Sequence, residues 1–391
     1  MKTILHCASS YPDPIAPDTR ASSLLLEMTR DDFDHKVYSF RRADWRGALT
    51  AIPFDDTGGQ GHRAMVYGAL PKGLRFARTM AEIARWIIAD AEQRNLKPDM
   101  VQAHKVSLDG IVGATVAAHF NVPLVLTVQA NTDARIIKTR RDLRDQFQTI
   151  WHKAALVFPF APNAQDAMED LLAPRTGPMR ILPCPTTADD IIAPTPRASG
   201  ASATILTAFH LAHYGNKNVQ GLMAAVAEAA RQVPDIRLDV VGGGDLGAFL
   251  KVSQMAQKIA PGRVQMLGAQ PGAQMQARMN KATAFAMLSH RESFGMVYSE
   301  ALLAGTPCLH STGRAIDGLF PEGNITLSVD PSDTSAMAQA LVRLVKEEDA
   351  FKARIATAQG DGQLEILRRP HITKNYADGL RQSLEAAPFQ F

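Results

Sequence analysis

Cysteine is scarce in this chain. Cys7, Cys184 and Cys308 are its only three, and they lie far apart in 391 residues. An odd, dispersed set supplies neither a disulfide framework nor a zinc-ligand spacing, which fits a reducing, cytoplasmic compartment. Excess charge is scarce too: 42 basic residues against 39 acidic ones leave a net +3. That argues against a partner held by bulk charge, nucleic acid above all. No apolar run reaches the roughly 18 residues that cross a membrane. The opening Met1-Lys2-Thr3-Ile4-Leu5-His6-Cys7 imitates a leader, but it is too short and His6 interrupts it, so a first strand is expected. Internal repeats, low-complexity segments and clustered Asp and His ligands are absent as well.

What the chain does have is apolar mass, 46% of its residues, enough to fill the cores of two or three ordinary domains. Short buried runs alternate with helical periods. Strands are expected over 3–8, 36–40, 100–104, 122–128 and 155–160, with helices over 20–30, 70–95, 111–120, 135–153 and 163–172. Residues 41–63 are polar and poorly periodic and read as loop or insertion. Around Pro183, Pro185, Pro194, Pro196 and Gly200 the periodicity lapses, which puts an interdomain linker at 186–201. The alternation then restarts, with strands over 204–209, 237–241, 264–267, 284–288, 306–310 and 325–329, helices between them, and a mostly helical end over 350–387. Strand–helix alternation of this kind builds parallel sheets. The expected class is α/β, with two Rossmann-like domains, 1–185 and 202–371, facing across a cleft.

The chemistry concentrates in 284–318. A buried strand, 284–288, leads into a polar loop, 289–293, and then a helix, 294–304, stopped by Gly305 and Pro307. A helix N-terminus at the carboxyl end of a parallel strand attracts phosphate. Gly295 lets a ligand approach the backbone closely. Glu292 lies before the helix and Glu300 in its second turn, so a phosphate there would have a carboxylate on either side. Carboxylates accept from sugar hydroxyls. The arrangement suits hydroxyls on both sides of a diphosphate, as in a nucleotide sugar. Two glutamates at this spacing are also common on ordinary solvated helix faces.

Glu292, Phe294-Gly295, Glu300-Ala301 and Gly305-Thr306-Pro307 together resemble the donor-site signature of retaining glycosyltransferases of the GT-B fold, family four, or glycosyltransferase group 1. The resemblance covers the whole two-domain plan, but at motif level only its second half. It implies a last helix, 372–391, that returns to the first domain. It implies that Glu300 holds ribose hydroxyls, while Glu292 and the backbone at Ser293, Phe294, Gly295, Met296 and Val297 hold sugar and phosphates. Gly243 and Gly244, after a strand, match the family's glycine turn, though such turns are often plain tight connections. Lys217 matches a lysine on the diphosphate. His210 stands where the family has arginine, and an imidazole is only partly charged at neutral pH. Gln129 stands where relatives place a histidine aimed at the sugar; it can hydrogen-bond a hydroxyl but cannot move a proton. His104 ends a neighbouring strand, as a site residue or as a structural one. The relatives' glycine-rich loop is replaced by Pro12, Asp13, Pro14, Pro17 and Asp18, so Asp13 and Asp18 are acceptor-side candidates or turn residues.

Lys72, Arg75, Arg78 and Arg85 share one expected helix with Leu74, Phe76, Met80, Ile83 and Trp86; Arg135, Lys138, Arg140, Arg141 and Arg144 form a second basic cluster. Basic, apolar helices suit an anionic membrane surface at the inner face, though a solvated face explains them too. The resulting expectation is a metal-independent, cofactor-free enzyme. It would move a hexose-type sugar from a UDP- or GDP-linked donor to a glycan or lipid-linked glycan. Two alternatives are a GT-B nucleotide-sugar epimerase, and a degenerate, non-catalytic member acting as a binding protein.

Overall fold

The computed structural model describes residues 1–17, 20–43 and 47–391, without the side chain of Lys72; Asp18 lies outside the described residues. The chain divides into two compact units, 1–185 with 369–391, and 186–368.

The first unit is built on a seven-stranded sheet. Its strands are β1 (Lys2–Ala8), β2 (Phe33–Arg42), β3 (Thr50–Asp56), β4 (Gly59–Tyr67), β5 (Met100–Ala103), β6 (Leu124–Val128) and β7 (Leu156–Pro159), in the order β3-β4-β2-β1-β5-β6-β7. All neighbours are parallel except β3 and β4. Runs such as Leu-Val-Leu-Thr-Val are buried along their whole length, as a sheet covered on both faces requires. The stretch 41–63 is therefore not all loop: the end of β2, all of β3 and the first five residues of β4 lie there. The hairpin turns at Gly58, with Asp56 Oδ1 accepting from the N–H of Gly58 at 2.8 Å and Gly59 at 3.2 Å. β3 is an edge strand, mostly exposed, so its polar residues gave no buried-strand signal.

Two expected helices are shorter than their periodicity. The 70–95 stretch begins as a helix only at Phe76–Gln93, because Gly73 and Arg75 take left-handed backbone at φ +71° and +59°. The basic stretch 135–153 is broken into Asn131–Thr139 and Arg144–Lys153. At the break Arg140 forks onto Asp142 at 2.8 and 2.5 Å and reaches Gly73 O at 2.8 Å. The apolar face of Phe76–Gln93 is buried in its own unit, with Met80 and Ile83 at most 1% exposed. The last helix, Arg369–Leu384, packs Ile372, Tyr376, Ala377 and Leu380 against Ile4, Leu25, Leu26 and Phe158 of this unit.

The second unit holds β8 (Thr204–Ala208), β9 (Arg237–Val241), β10 (Val264–Gly268), β11 (Ala284–Ala286), β12 (Cys308–Ser311) and β13 (Thr326–Val329). They are all parallel, in the order β10-β9-β8-β11-β12-β13. The order reverses between β8 and β11, and ligands of open α/β sheets bind beyond the carboxyl ends at such a switch point. The expected linker is bound into this unit at several places: Ile192 N donates to Leu303 O at 2.8 Å, and Lys352 Nζ to Thr195 O at 2.6 Å. Backbone groups paired this way hold the segment without helical or strand periodicity. Among the described residues no helix is long and apolar enough to cross a membrane.

Candidate functional site

The loop and helix expected over 289–304 lie at the carboxyl ends of β8 and β11. Two loops are stitched together there: His290 N donates to Asn216 O at 2.8 Å, and Asn216 Nδ2 to Arg291 O at 2.9 Å. The stitch brings Lys217 and Glu292, 75 residues apart, into an ion pair of 2.5 Å with both side chains mostly buried. Asn218 follows in left-handed backbone at φ +51°, and its amide donates to Pro331 O at 2.8 Å. It thereby fixes the turn that presents Lys217. Sequence reading missed Asn216 and gave Asn218 no role of its own; an Asn pair flanking a lysine just before a helix was the signal.

Gly295 sits at φ +74°, outside the helix expected to begin at 294, which runs from Met296 to Leu303. A Cβ at Gly295 would lie 2.7 Å from the Tyr298 ring and 3.2 Å from Glu292 Cγ. Tyr298 is buried, its hydroxyl donates to Met287 O, and its ring meets Phe285 edge-on at 5.5 Å. Only glycine fits. Phe294 is buried as the anchor of the turn. Ser293, Met296 and Val297 are half-buried around it, and the first-turn N–H groups at Met296 and Val297 lack partners within the helix. Glu300 is half-buried one turn on. Its carboxylate has no hydrogen-bond or ion-pair partner among the described residues, and burial pushes its pKa up to about 7. An unpaired carboxylate raised by desolvation at a switch point is a binding-site signature.

His210 is exposed just past β8, its ring 5.7 Å from that of His213. Gly243 and Gly244 follow β9, and Gly243 O accepts from Leu211 N at 2.7 Å. The glycine of this turn that packing demands is Gly242, where a Cβ would meet Phe209 O at 1.9 Å. Among the described residues no group of three metal-ligating side chains forms.

The first-unit candidates fare differently. Gln129 is half-buried at the carboxyl end of β6, beside Ala130 at φ +66°. His104 is not presented at an edge: it is 2% exposed in a buried row. Its Nδ1 pairs with Thr127 Oγ1 at 3.1 Å and its Nε2 with His6 Nδ1 at 3.1 Å. His6 Nε2 in turn meets His35 Nδ1 at 2.9 Å, and His35 Nε2 meets Thr29 Oγ1 at 3.0 Å. Asp13 is likewise withheld from any acceptor. One of its oxygens accepts from Ile15 N and Ala16 N, both at 2.9 Å, and the other from Ser39 at 2.6 Å and Arg41 at 3.0 Å. Turn chemistry explains it.

Residues 197–360 match the family model described as glycosyl transferases group 1. A D-inositol 3-phosphate glycosyltransferase from Corynebacterium urealyticum is 31% identical over 144 residues, 35% of this chain and 33% of the relative. One from Corynebacterium jeikeium is 28% identical over 287 residues, 67% of this chain and 68% of the relative. The matched stretch thus spans from about a third to about two thirds of such relatives. In fold, a sucrose-phosphate synthase from Thermosynechococcus elongatus superposes with TM-score 0.69 at 19% identity, covering 98% of this chain and 99% of its own. Over residues 197–360 the chain thus matches the group 1 glycosyl transferases, and its two parallel-sheet α/β units have the GT-B fold.

Proposed function

We propose that the second unit binds a nucleotide-diphosphate sugar, UDP- or GDP-linked, and that the protein transfers its hexose to an acceptor with retention at the anomeric carbon, without a metal. The carrying observation is the unpaired Glu300, half-buried and raised to about 7, in the second turn of the helix at the β8–β11 switch point. A ribose diol would donate to it. The diphosphate would lie at the helix N-terminus, where the N–H groups of Met296 and Val297 face it. Lys217, now 2.5 Å from Glu292, would transfer its charge to the diphosphate and free Glu292 for the sugar hydroxyls.

In the reaction the acceptor oxygen bonds to the anomeric carbon as the carbon–oxygen bond to the diphosphate breaks on the same face. The acceptor proton passes to a departing phosphate oxygen. Lys217 and the helix N-terminus stabilise the charge that develops on the diphosphate, and no enzymic nucleophile is needed.

Calorimetric titration of the wild type and Glu300→Ala with UDP, GDP, ADP and dTDP tests the donor site. One nucleotide binds the wild type, and the variant loses at least tenfold, about 1.4 kcal/mol. If none binds the wild type, the assignment is wrong.

A further inference from the structure

The first unit contains a cavity of about 740 Å³ at the carboxyl ends of β1, β2, β4 and β5. That volume lies in the range of small-molecule sites. Its charged lining is Arg41, Arg42, Lys105, Arg135 and Arg140, with no carboxylate among the described lining residues. Three of these cations are already offset. Arg41 has Asp13 at 3.0 Å, Arg140 has Asp142 at 2.5 Å, and Lys105 has Asp109 at 4.0 Å. Arg42 and Arg135 have no carboxylate partner among the described residues. Arg42 is nonetheless held in place, donating to Ala69 O at 3.0 Å and Leu70 O at 3.2 Å. Two positive charges are left over, one of them pre-positioned.

The polar floor fits an anion as well. Lys105 is 4% exposed, and its ammonium donates to the hydroxyl oxygens of Ser9 and Ser10, both at 2.6 Å. The Ser10 hydroxyl accepts there, so its own proton remains to be given to an oxyanion. The rest of the wall is mainly apolar, with Tyr67, Leu70, Leu74, Phe76, Leu108 and Ile136 among three threonines, Thr79, Thr132 and Thr139. Leu74 is 64% exposed, on the segment before Phe76–Gln93, and Phe76 lies under the Arg140 guanidinium at 5.1 Å. A phosphate monoester carries −1.5 to −2 charges at neutral pH, which matches the two surplus cations.

We infer that this cavity takes the acceptor, and that the acceptor is a phosphate ester carried on an apolar chain. The word acceptor rests on the glycosyltransferase reading; the ligand chemistry does not. Gln129, at the neighbouring β6 edge, is an uncharged hydrogen-bonding group and adds nothing to the anion site.

The test is calorimetric titration of the full chain with octyl phosphate, octyl glucoside and glycerol 3-phosphate. Octyl phosphate binds at least tenfold more tightly than either of the others. Arg135→Glu, an exposed change, loses at least tenfold for octyl phosphate. Leu74→Ser loses several-fold for octyl phosphate and nothing for glycerol 3-phosphate. Melting followed by circular dichroism checks that both variants fold. Equal binding of octyl glucoside overturns the anion; equal binding of glycerol 3-phosphate overturns the apolar chain; an unchanged Arg135→Glu overturns the site. Co-sedimentation with phosphatidic acid vesicles, but not with phosphatidylcholine ones, supports a lipid as the source of the phosphate. Octyl phosphate binding without co-sedimentation supports a soluble amphiphile. Failure of the nucleotide titration would sink the glycosyltransferase reading and leave these results standing.

Discussion

Burial raises the Glu300 carboxyl to about 7, so near neutral pH it is part acid and part carboxylate. Hydroxyl donors prefer the carboxylate. Nucleotide affinity therefore falls as pH drops below 7, by up to about tenfold per unit, and binding releases a proton. Titration in two buffers of different ionisation enthalpy at pH 6.5 measures that release; no proton exchange would mean Glu300 does not meet the ligand. The free protein shows the opposite sign. A carboxyl raised above its unfolded value of 4.5 stabilises the fold at low pH, and that contribution is lost as pH rises through 7. Gly295 is the second residue-scale test. Its φ of +74° and the fixed Tyr298 ring leave no room for a methyl group. Gly295→Ala costs about 1–3 kcal/mol in strain or forces the turn to move. Thermal melting reads the first, nucleotide titration the second. An alanine variant that melts and binds like the wild type would contradict the geometry. Phe-Gly was legible in the sequence; that the glycine stands outside the helix in left-handed backbone was not, since it follows from where Tyr298 packs.

At the scale of elements, the row of histidines across β5, β1 and β2 has one consistent proton order. Thr29 gives its hydroxyl proton to Leu25 O at 2.8 Å, so it accepts from His35. His35 then accepts from His6, His6 from His104, and His104 from Thr127, each imidazole neutral with its proton on Nε2. A proton added to His35 or His6 would set N–H against N–H. Burial pushes His35 down to about 4 and His104 to about 3, and holds His6 well below its usual range. The unfolded chain takes up these protons from about pH 6.5 downward while the fold cannot. Stability is therefore retained above 6.5 and lost as pH falls toward 4, by several kcal/mol in total. Urea unfolding at pH 7.5 and 5.5, in a Glu300→Gln background that removes the opposing contribution, checks this; equal stability at both would mean the row is not neutral. Period-2 and buried-run patterns located these strands, but not which histidine meets which. Register decides that: β1 lies between β2 and β5, pairing His6 with Val37 and with Gln102.

On the scale of the molecule, the chain leaves its first unit at 185 and returns at 369. Arg369–Leu384 then closes that unit's core. The Tyr376 hydroxyl donates to Gln102 Oε1 at 2.6 Å in a fully buried setting, and Arg381 meets Asp32 at 2.6 Å. Tyr376→Phe leaves Gln102 without its partner and costs about 1–3 kcal/mol. Leu380→Ala opens a cavity and costs about 2–5 kcal/mol. Denaturant unfolding measures both, and a Leu380→Ala variant as stable as the wild type would show that the helix is dispensable. The helical period of this segment was plain; its destination was known only through the family resemblance, because periodicity says that a face is buried and not against what.

The sequence by itself determined the alternation of buried strands and helices, hence two parallel sheets, and the place of Glu292, Phe294-Gly295 and Glu300 along one loop and helix start. Those are local properties, carried by residues within a few turns of one another. Tertiary structure alone decided that Lys217 meets Glu292 across 75 residues, that Glu300 lacks a partner among the described residues, and that His104 and Asp13 are fully engaged. It also decided that Arg42 and Arg135 line one cavity without a carboxylate partner among the described residues. Pairing, burial and surplus charge depend on which distant segments fold against each other, and no window of sequence contains both sides.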